Sequence, residues 1–466
     1  MRAFVKQQIV LRLQEYYNFR ENVEFYRKQE FMIERNKYLG QLIKAAGNGF
    51  PKVITGIRRC GKSYLLKEIY KKHLLESGVD EGHFILIELD DNVNAKLRNP
   101  LELSRCVREK VFGRDGVFYI VLDEIQRVFD IVNPELTDGE IVLAKKEDKE
   151  IISFVDVVMG LSSLPNVDLY VTGSNSKLLS KDIVTQFRDK ATQIHMAPLS
   201  FAEYYNYIGG SKTEAFYEYL LHGGMPLAVL SDRKQKEAYL EGLFATTYFK
   251  DILEHHGFQK QWALDDLADS LSSMVGKVIN PERIANTLKS EGKTSLDPKT
   301  VQAYIDAFVD AFLLCGAPRY DVKGRSLIGA GKKYYFADTG LRNARLRFAF
   351  PDLGQLMENV VFNELLYRGY QVSIGVLPTV GKDPSGKSVR KDYEIDFIAR
   401  KGYDALYIQI AQSVANPDVL KKELRPFDFV RGEAKNVLVV GDPVPETRNP
   451  DGTYLVGVAD FLLNLE

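Results

Sequence analysis

The chain has 466 residues, which at about 150 per domain suggests about three domains, each large enough to bury a core. Its 45% apolar, 11% aromatic and 27% charged residues lie near the globular average and exclude a disordered, collagenous or coiled-coil chain. Lys and Arg number 62 against 63 Asp and Glu, a net charge of −1, so nucleic acid or an anionic membrane can be met only by a local patch.

The N-terminal run MRAFVKQQIVLRLQEYYNFRENVEFYRKQ puts charge into every turn, and no stretch of about 18 uncharged apolar residues follows it. Neither secretion nor membrane spanning is expected. Cys60, Cys106 and Cys315 are scattered, without the dense even spacing of a disulfide scaffold, and a reducing cytoplasm fits them. Residues 1–47 read as helical, with apolar residues at helical spacing around Ile9, Leu11 and Leu13 and again at Tyr38, Leu39, Leu42 and Ile43. From 48 to 210 the apolar runs KVIT, FILIEL, FYIVLDE and LYVTGS alternate with helical patterns, which predicts a parallel α/β sheet. The polar stretch 133–150 interrupts the alternation and reads as a surface insertion.

Residues 211–260 read as a small helical lid, broken by a tight turn at HGGMP, His222 to Pro226. Asn280-Pro281 and Asp297-Pro298 each place a capping side chain before a proline at the first helical position. The second of these helices carries Val301, Tyr304, Ile305, Phe308, Val309 and Phe312 on one face. A glycine-punctuated basic stretch follows, and helix, helix, hairpin is the order of a winged helix, assigned to 261–345. Residues 346–466 read as the helix ENVVFNELLYRG and the strands YQVSI, YEIDFIA, DALYIQIA and NVLVVG, a second α/β domain.

The strongest chemical signal is Gly56-Ile57-Arg58-Arg59-Cys60-Gly61-Lys62-Ser63, a phosphate-loop pattern set between the strand at Val53 and Ile54 and a helix opening at Tyr64. Backbone N–H groups and a helix N-terminus there can face phosphate oxygens. Lys62 would pair with the β- and γ-phosphates of ATP, Ser63 would ligate Mg²⁺, and Gly56 and Gly61 let the backbone approach unobstructed. Cys60 is either a thiol with a lowered pKa near a helix N-terminus or a small buried residue. FYIVLDE delivers Asp123 and Glu124 at a strand's C-terminal end, Asp123 for Mg²⁺ and Glu124 to orient the attacking water. LYVTGS ends in Thr172, Gly173, Ser174 and Asn175. Asn175 is either a γ-phosphate sensor or, with Ser174, a helix cap. Arg188 is either a mobile arginine finger or a solvated side chain. His255-His256 lacks the helical spacing of a zinc site.

The segments MIERNKYLGQLI, VITGIRRCGKS, FYIVLDEIQ, LYVTGSNSKLLS, PLSFAEYY, HGGMP, YFKDI, KKYYFADTGLRN, ENVVFNELLYRGY and EIDFIA resemble, in order, the AAA-type ATPases of bacteria and archaea related to the STAND ATPases. The resemblance covers nearly the whole chain. It implies an α/β fold in which a P-loop NTPase parallel sheet with a helical lid is followed by a winged helix and a terminal domain like the PD-(D/E)XK nucleases. Where relatives commonly show Gly-Arg after the FR pair, this chain has Asp189-Lys190.

Such nucleases need two carboxylates for Mg²⁺ and a nearby lysine. Asp396 matches the first, but the next strand reads Gln409-Ile410-Ala411, so the domain is expected to be inactive, with Glu358 or Glu364 and Lys421 or Lys422 the only rescues. From Gly316 to Phe348 there are eight basic residues (Arg319, Lys323, Arg325, Lys332, Lys333, Arg342, Arg345, Arg347) and two acidic ones, which suits phosphate contacts, while Asp306 and Asp310 on the candidate recognition helix oppose them. The expectation is a cytoplasmic Mg²⁺-dependent ATPase used as a regulatory switch. The alternatives are an ATP-loaded scaffold that binds DNA or a protein without hydrolysis, and an ATP-regulated nuclease. A homo-oligomer is compatible with all three.

Overall fold

The computed structural model describes residues 33–464 apart from 146, 174–189, 250–251, 254–260, 291–295, 350–351, 383–387, 431–433 and 450. The chain divides into two compact units, Glu34–Pro198 with Asp310–Leu313, and Leu199–Val309 with Leu314–Glu466.

The first unit opens with α1 (Asn36–Ala45), which buries Tyr38, Leu42 and Ala45 as its helical period requires. Five strands then build one parallel sheet: β1 (Lys52–Thr55), β2 (Phe84–Glu88), β3 (Phe118–Asp123), β6 (Val167–Thr172) and β7 (Thr192–His195), in the order β2-β3-β6-β1-β7. Crossover helices link them: α2, a continuous run of Lys62–Tyr64, the π-helical Leu65–Tyr70 and Lys71–Glu76; α3 (Pro100–Val111); and α4 (Phe154–Ser162). Phe118, Ile120, Leu122, Leu169 and Val171 pack with Leu103, Val107, Val158 and Leu161 of α3 and α4 into a buried core. The inner strands β1, β3 and β6 are mostly apolar and buried, as strands of a parallel sheet covered on both faces are, while the edge strand β7 is mostly polar. The 133–150 stretch is framed by the short antiparallel pair β4 (Ile131–Val132) and β5 (Ile151–Ile152), and none of its described residues is buried. At the N-terminal ends of β1 and β6, Lys52 and Asp168 form a buried ion pair, and Tyr170 donates to Asp168 at 2.8 Å.

The second unit begins with α5 (Phe201–Ile208), α6 (Lys212–His222), α7 (Pro226–Leu230) and α8 (Arg233–Gly242). Next come α9 (Gln261–Ser273), β8 (Val278–Ile279), α10 (Pro281–Ser290), α11 (Pro298–Asp310), and the antiparallel hairpin of β9 (Leu314–Asp321) and β10 (Ser326–Phe336). After α12 (Thr339–Arg345) and α13 (Leu353–Tyr367) lie β11 (Gln371–Lys382), β12 (Ser388–Lys401), β13 (Asp404–Ala411), α14 (Pro417–Leu424), β14 (Lys435–Val440), β15 (Thr447–Arg448), β16 (Tyr454–Gly457) and α15 (Val458–Asn464). β9 pairs in parallel with β11, Arg319 opposite Ile374 and Tyr320 opposite Gly375. The hairpin and the later strands therefore make one nine-stranded sheet, in the order β15-β16-β14-β13-β12-β11-β9-β10-β8.

Two sequence motifs of this unit explain each other. The buried Asp338 carboxylate caps α12 through the Leu341 N–H at 3.0 Å and accepts the Gly224 N–H at 2.6 Å. A Cβ on Gly224 would lie 2.2 Å from the Leu199 carbonyl oxygen, and one on Gly340 would lie 2.0 Å from that of His222. Gly340 is thus a glycine-dependent close approach of α12 to the end of α6, locked further by the Asn343 amide on the Leu220 and Leu221 carbonyls, and Gly224 is a second close approach, to the residue two before α5.

Candidate functional site

β1 delivers the loop from Gly56 to Ser63 directly into α2. Gly56 (φ 140°) and Gly61 (φ 102°) take backbone conformations that side chains disfavour, and Arg59 (φ 64°) lies in the left-handed region. A Cβ on Gly56 would lie 2.0 Å from the Met196 carbonyl oxygen, so glycine is required there by space as well as by φ. Ile57 and Cys60 are buried beneath the loop, and the Cys60 thiol donates to the Met196 carbonyl at 3.4 Å, the structural role of the two readings of this residue. Arg59 and Tyr64 face solvent, and Arg58 is half-buried. The Lys62 ammonium is buried and donates to the loop's own carbonyls, Gly56 at 2.9 Å and Ile57 at 3.1 Å.

Two strands away, the end of β3 brings the acidic pair to the same edge of the sheet. Ser63 Oγ donates to Asp123 Oδ1 at 2.9 Å, and the Thr172 hydroxyl at the end of β6 donates to that same oxygen. Glu124 stands in the left-handed region (φ 57°), uncommon for a residue with a side chain. Its N–H donates to Thr172 Oγ1 at 3.1 Å, and its carboxylate accepts from the Gln126 amide. Asn175 and Arg188 lie outside the described residues.

Sequence reasoning did not single out Lys67. It stands one helical turn after Ser63 on α2, and its ammonium reaches Asp123 Oδ2 at 2.9 Å and also the Glu88 carboxylate at the end of β2. Partial burial pulls the Lys67 pKa down, but the Glu88 and Asp123 carboxylates outweigh it and leave it raised. The spacing from Ser63 was the available signal, because residues four apart share a helix face.

A family described as an AAA domain matches residues 48–205, and a domain of unknown function matches 213–352. An uncharacterized protein of Haemophilus influenzae is 30% identical over 437 residues, covering 93% of this chain and 99% of its own. The chain belongs to that protein's family, and its own residues 48–205 carry the AAA domain match. An uncharacterized protein of Methanocaldococcus jannaschii is 26% identical over 364 residues, covering 74% of this chain and 71% of its own. Among solved structures, Cdc6p of Pyrobaculum aerophilum is 10% identical, with 70% of this chain and 95% of that one covered, at a TM-score of 0.27, too low to carry an inference.

The AAA domain holds the loop, both carboxylates and Lys67. The unit after it holds a second charged centre. Lys333 on β10 lies 3.1 Å from Glu358 on α13 and 2.7 Å from Glu394 on β12, and the Tyr335 hydroxyl donates to Glu358 at 2.6 Å. Asp396, two residues along β12 from Glu394, is half-buried; its Oδ2 accepts from the Ile410 N–H and its own N–H donates to Gln409 Oε1, both at 2.8 Å. Burial pulls the Lys333 pKa down, yet Glu358, Glu394 and Asp396 together hold it raised. Burial and the Glu358 charge push the Asp396 carboxyl well above the ordinary range. Of the two glutamates expected on the helix, Glu358 joins this centre and Glu364 pairs with Arg368 instead. Lys421 and Lys422 are exposed on α14. Among the described residues no group of three or more His, Cys, Asp or Glu has a metal-binding arrangement, and no helix is long and apolar enough to cross a membrane.

Three of the eight basic residues in this stretch turn inward. Lys333 is in the carboxylate centre, Arg342 donates to the Ser272 carbonyl at 2.8 Å, and Arg345 pairs with Asp265 and Asp269. Lys323, Arg325, Lys332 and Arg347 are left exposed, Lys323 donating to the Pro378 carbonyl at 2.9 Å.

Proposed function

We propose that this protein is a Mg²⁺-dependent ATPase whose nucleotide state acts as a switch read by its second unit. The observation that carries this is the Ser63 Oγ to Asp123 Oδ1 hydrogen bond of 2.9 Å beside the buried Lys62. It puts a hydroxyl, a carboxylate and an ammonium at one sheet edge in front of a loop that admits no side chain at Gly56. That donor set fits Mg²⁺ and a triphosphate, with Ser63 and Asp123 to hold the cation and backbone N–H groups from Gly56 to Tyr64 to meet the phosphates. The cation, when bound, neutralises charge on the transferring phosphoryl group. Lys62 exchanges its hold on the Gly56 and Ile57 carbonyls for the β- and γ-phosphates. Glu124, kept in an uncommon backbone conformation by its N–H bond to Thr172, accepts a proton from and orients the attacking water. Asn175 is assigned to sensing the γ-phosphate, and Arg188 to meeting transition-state charge.

The order of α9, α10, α11, β9 and β10 supports a winged helix over 261–345, followed by a nuclease-like domain over 346–466. Lys333 among the carboxylates, with Gln409 and Ala411 on the adjacent strand, favours a nuclease-like domain that does not cut. The inward-turned basic residues favour a protein over DNA as the winged helix's partner.

Phosphate release from ATP with Mg²⁺ tests the reading. Glu124→Gln is expected to keep nucleotide affinity and lose turnover by about 10²- to 10⁴-fold, the range of a general base. Lys62→Ala is expected to lose nucleotide binding itself, by about 2–5 kcal/mol, as when one partner of a buried charge pair is removed. Normal turnover by Glu124→Gln would sink the base assignment. Tight ATP binding without turnover in the wild type would favour the non-hydrolysing scaffold, and stimulation by duplex DNA would return the winged helix to nucleic acid.

A further inference from the structure

The carboxylates of Asp123 and Glu88 share a cation that belongs to the chain, one oxygen of each reaching Lys67. β2 and β3 run in parallel register with Glu88 opposite Asp123, so their two carboxylates end side by side at the edge where the phosphate loop opens. Asp123 Oδ1 is taken by the Ser63 and Thr172 hydroxyls, and Oδ2 by the Lys67 ammonium, which also holds Glu88. One lysine therefore offsets the mutual repulsion of two strand-end carboxylates and stands against the side of Asp123 that Ser63 leaves open.

We propose that Lys67 is a positioning residue that makes metal entry depend on nucleotide: it keeps a divalent cation off the Ser63–Asp123 pair until a triphosphate supplies the charge to hold one. The inference rests on the reading of this loop as a Mg²⁺·ATP site and names how that site is loaded. The physical reason is charge balance. A dication approaching Asp123 alone meets an ammonium already within contact of the same carboxylate, and like charges at about 4 Å repel even through a surface-like dielectric. A bound triphosphate reverses the local sign. Lys67 then rests on Glu88, whose half-exposed carboxylate is its second partner and needs no rearrangement of the helix to receive it.

The test is Mn²⁺ binding to the full chain, read from the electron paramagnetic resonance of free Mn²⁺, with and without a non-hydrolysable ATP analogue. Wild type and Lys67→Arg are expected to bind Mn²⁺ only with the analogue. Lys67→Met is expected to bind Mn²⁺ without it, about tenfold or more tighter than wild type, and Lys67→Met with Glu88→Gln to lose most of that gain. Glu88→Gln alone leaves Lys67 with Asp123 as its one carboxylate and is expected to weaken Mn²⁺ binding in the presence of the analogue. The proposal is overturned if folded Lys67→Met binds nucleotide-free Mn²⁺ no better than wild type. Should that variant not fold, an unchanged Glu88→Gln overturns it equally. Binding of a fluorescent ATP analogue, lost in Lys62→Ala, separates the two levels: a wild type that ignores the analogue defeats the ATP reading, while the nucleotide-free Mn²⁺ comparison still judges Lys67.

Discussion

Each unit of this protein sets a lysine among carboxylates, and the two arrangements differ in how dry they are. Lys67 of the AAA domain keeps 21% of its side-chain surface exposed, between Glu88 at 43% and Asp123 at 4%, whereas Lys333 keeps only 6%, between Glu358 at 16% and Glu394 at 40%. Water around Lys67 stabilises its ammonium wherever it rests, so exchanging Asp123 for Glu88 alone costs little. Lys333 is itself almost cut off from water, although Glu394 beside it is as exposed as Glu88. Its charge is held only by Glu358, Glu394 and Asp396, and theirs largely by it, so this cation is a permanent part of the fold. The same residue types thus serve a replaceable contact at the mouth of the phosphate loop and a fixed one between β10, β12 and α13.

The largest expected effect breaks the fixed arrangement. Lys333→Met leaves Glu358, Glu394 and Asp396 without a cation and is expected to cost about 3–5 kcal/mol of unfolding free energy, the penalty for orphaning a buried charge. Denaturant unfolding measures it, and Glu358→Gln in the same chain is expected to recover part by removing one uncompensated charge. A loss of about 1–2 kcal/mol or less would mean that Lys333 is as replaceable as Lys67.

A smaller effect is read against pH. The Asp396 carboxyl is raised by burial and by Glu358, so the folded protein holds a proton there at pH values where the unfolded chain has released it. Its contribution is complete below the unfolded value near 3.9 and is lost as pH rises toward the raised folded value. Wild-type stability should therefore fall from pH 4 upward more steeply than that of Asp396→Asn, by up to about 1.4 kcal/mol per pH unit. Because Glu358 and Asp396 titrate together, the slope belongs to the pair. Parallel pH profiles for the two proteins would place the proton elsewhere.

How far these centres were legible in the sequence follows from how local each is. The loop from Gly56 to Ser63 and the pair Asp123-Glu124 are consecutive residues after apolar strands, and a parallel sheet brings such strand ends to one edge. Lys67 needed only the helix period, since it stands four residues after Ser63, but nothing in the chain announced that this face turns toward β3. Lys333 was harder. It lies 63 positions before Asp396, in a run where Lys332 is exposed while Lys333, Tyr334, Tyr335 and Phe336 are all buried, so the alternation that betrays a half-buried strand is missing. Counting its charge with the solvent-facing stripe made the basic stretch look like a phosphate surface. HGGMP and FADTG were visible as motifs, but their purpose is steric and reciprocal, and only the approach of Gly224 to Leu199 and of Gly340 to His222 reveals it.

The smallest expected effect sharpens the comparison from the other side. Lys67→Met removes the ammonium from two carboxylates, yet Glu88 is half-exposed and free to rehydrate, and Asp123 keeps the Ser63 and Thr172 hydroxyls on Oδ1. Unfolding free energy should fall by about 1–2 kcal/mol, since Glu88 rehydrates while the buried Asp123 Oδ2 loses its partner, and the part of the loss owed to Glu88 and Asp123 repulsion should shrink in high salt. Set beside Lys333→Met in the same denaturant series, the ratio of the two losses measures how much of each lysine's value to the fold is burial. Were Lys67→Met to cost as much as Lys333→Met, Lys67 would be a structural cation like Lys333, unable to leave Asp123 when nucleotide arrives, and the two centres would be one design used twice.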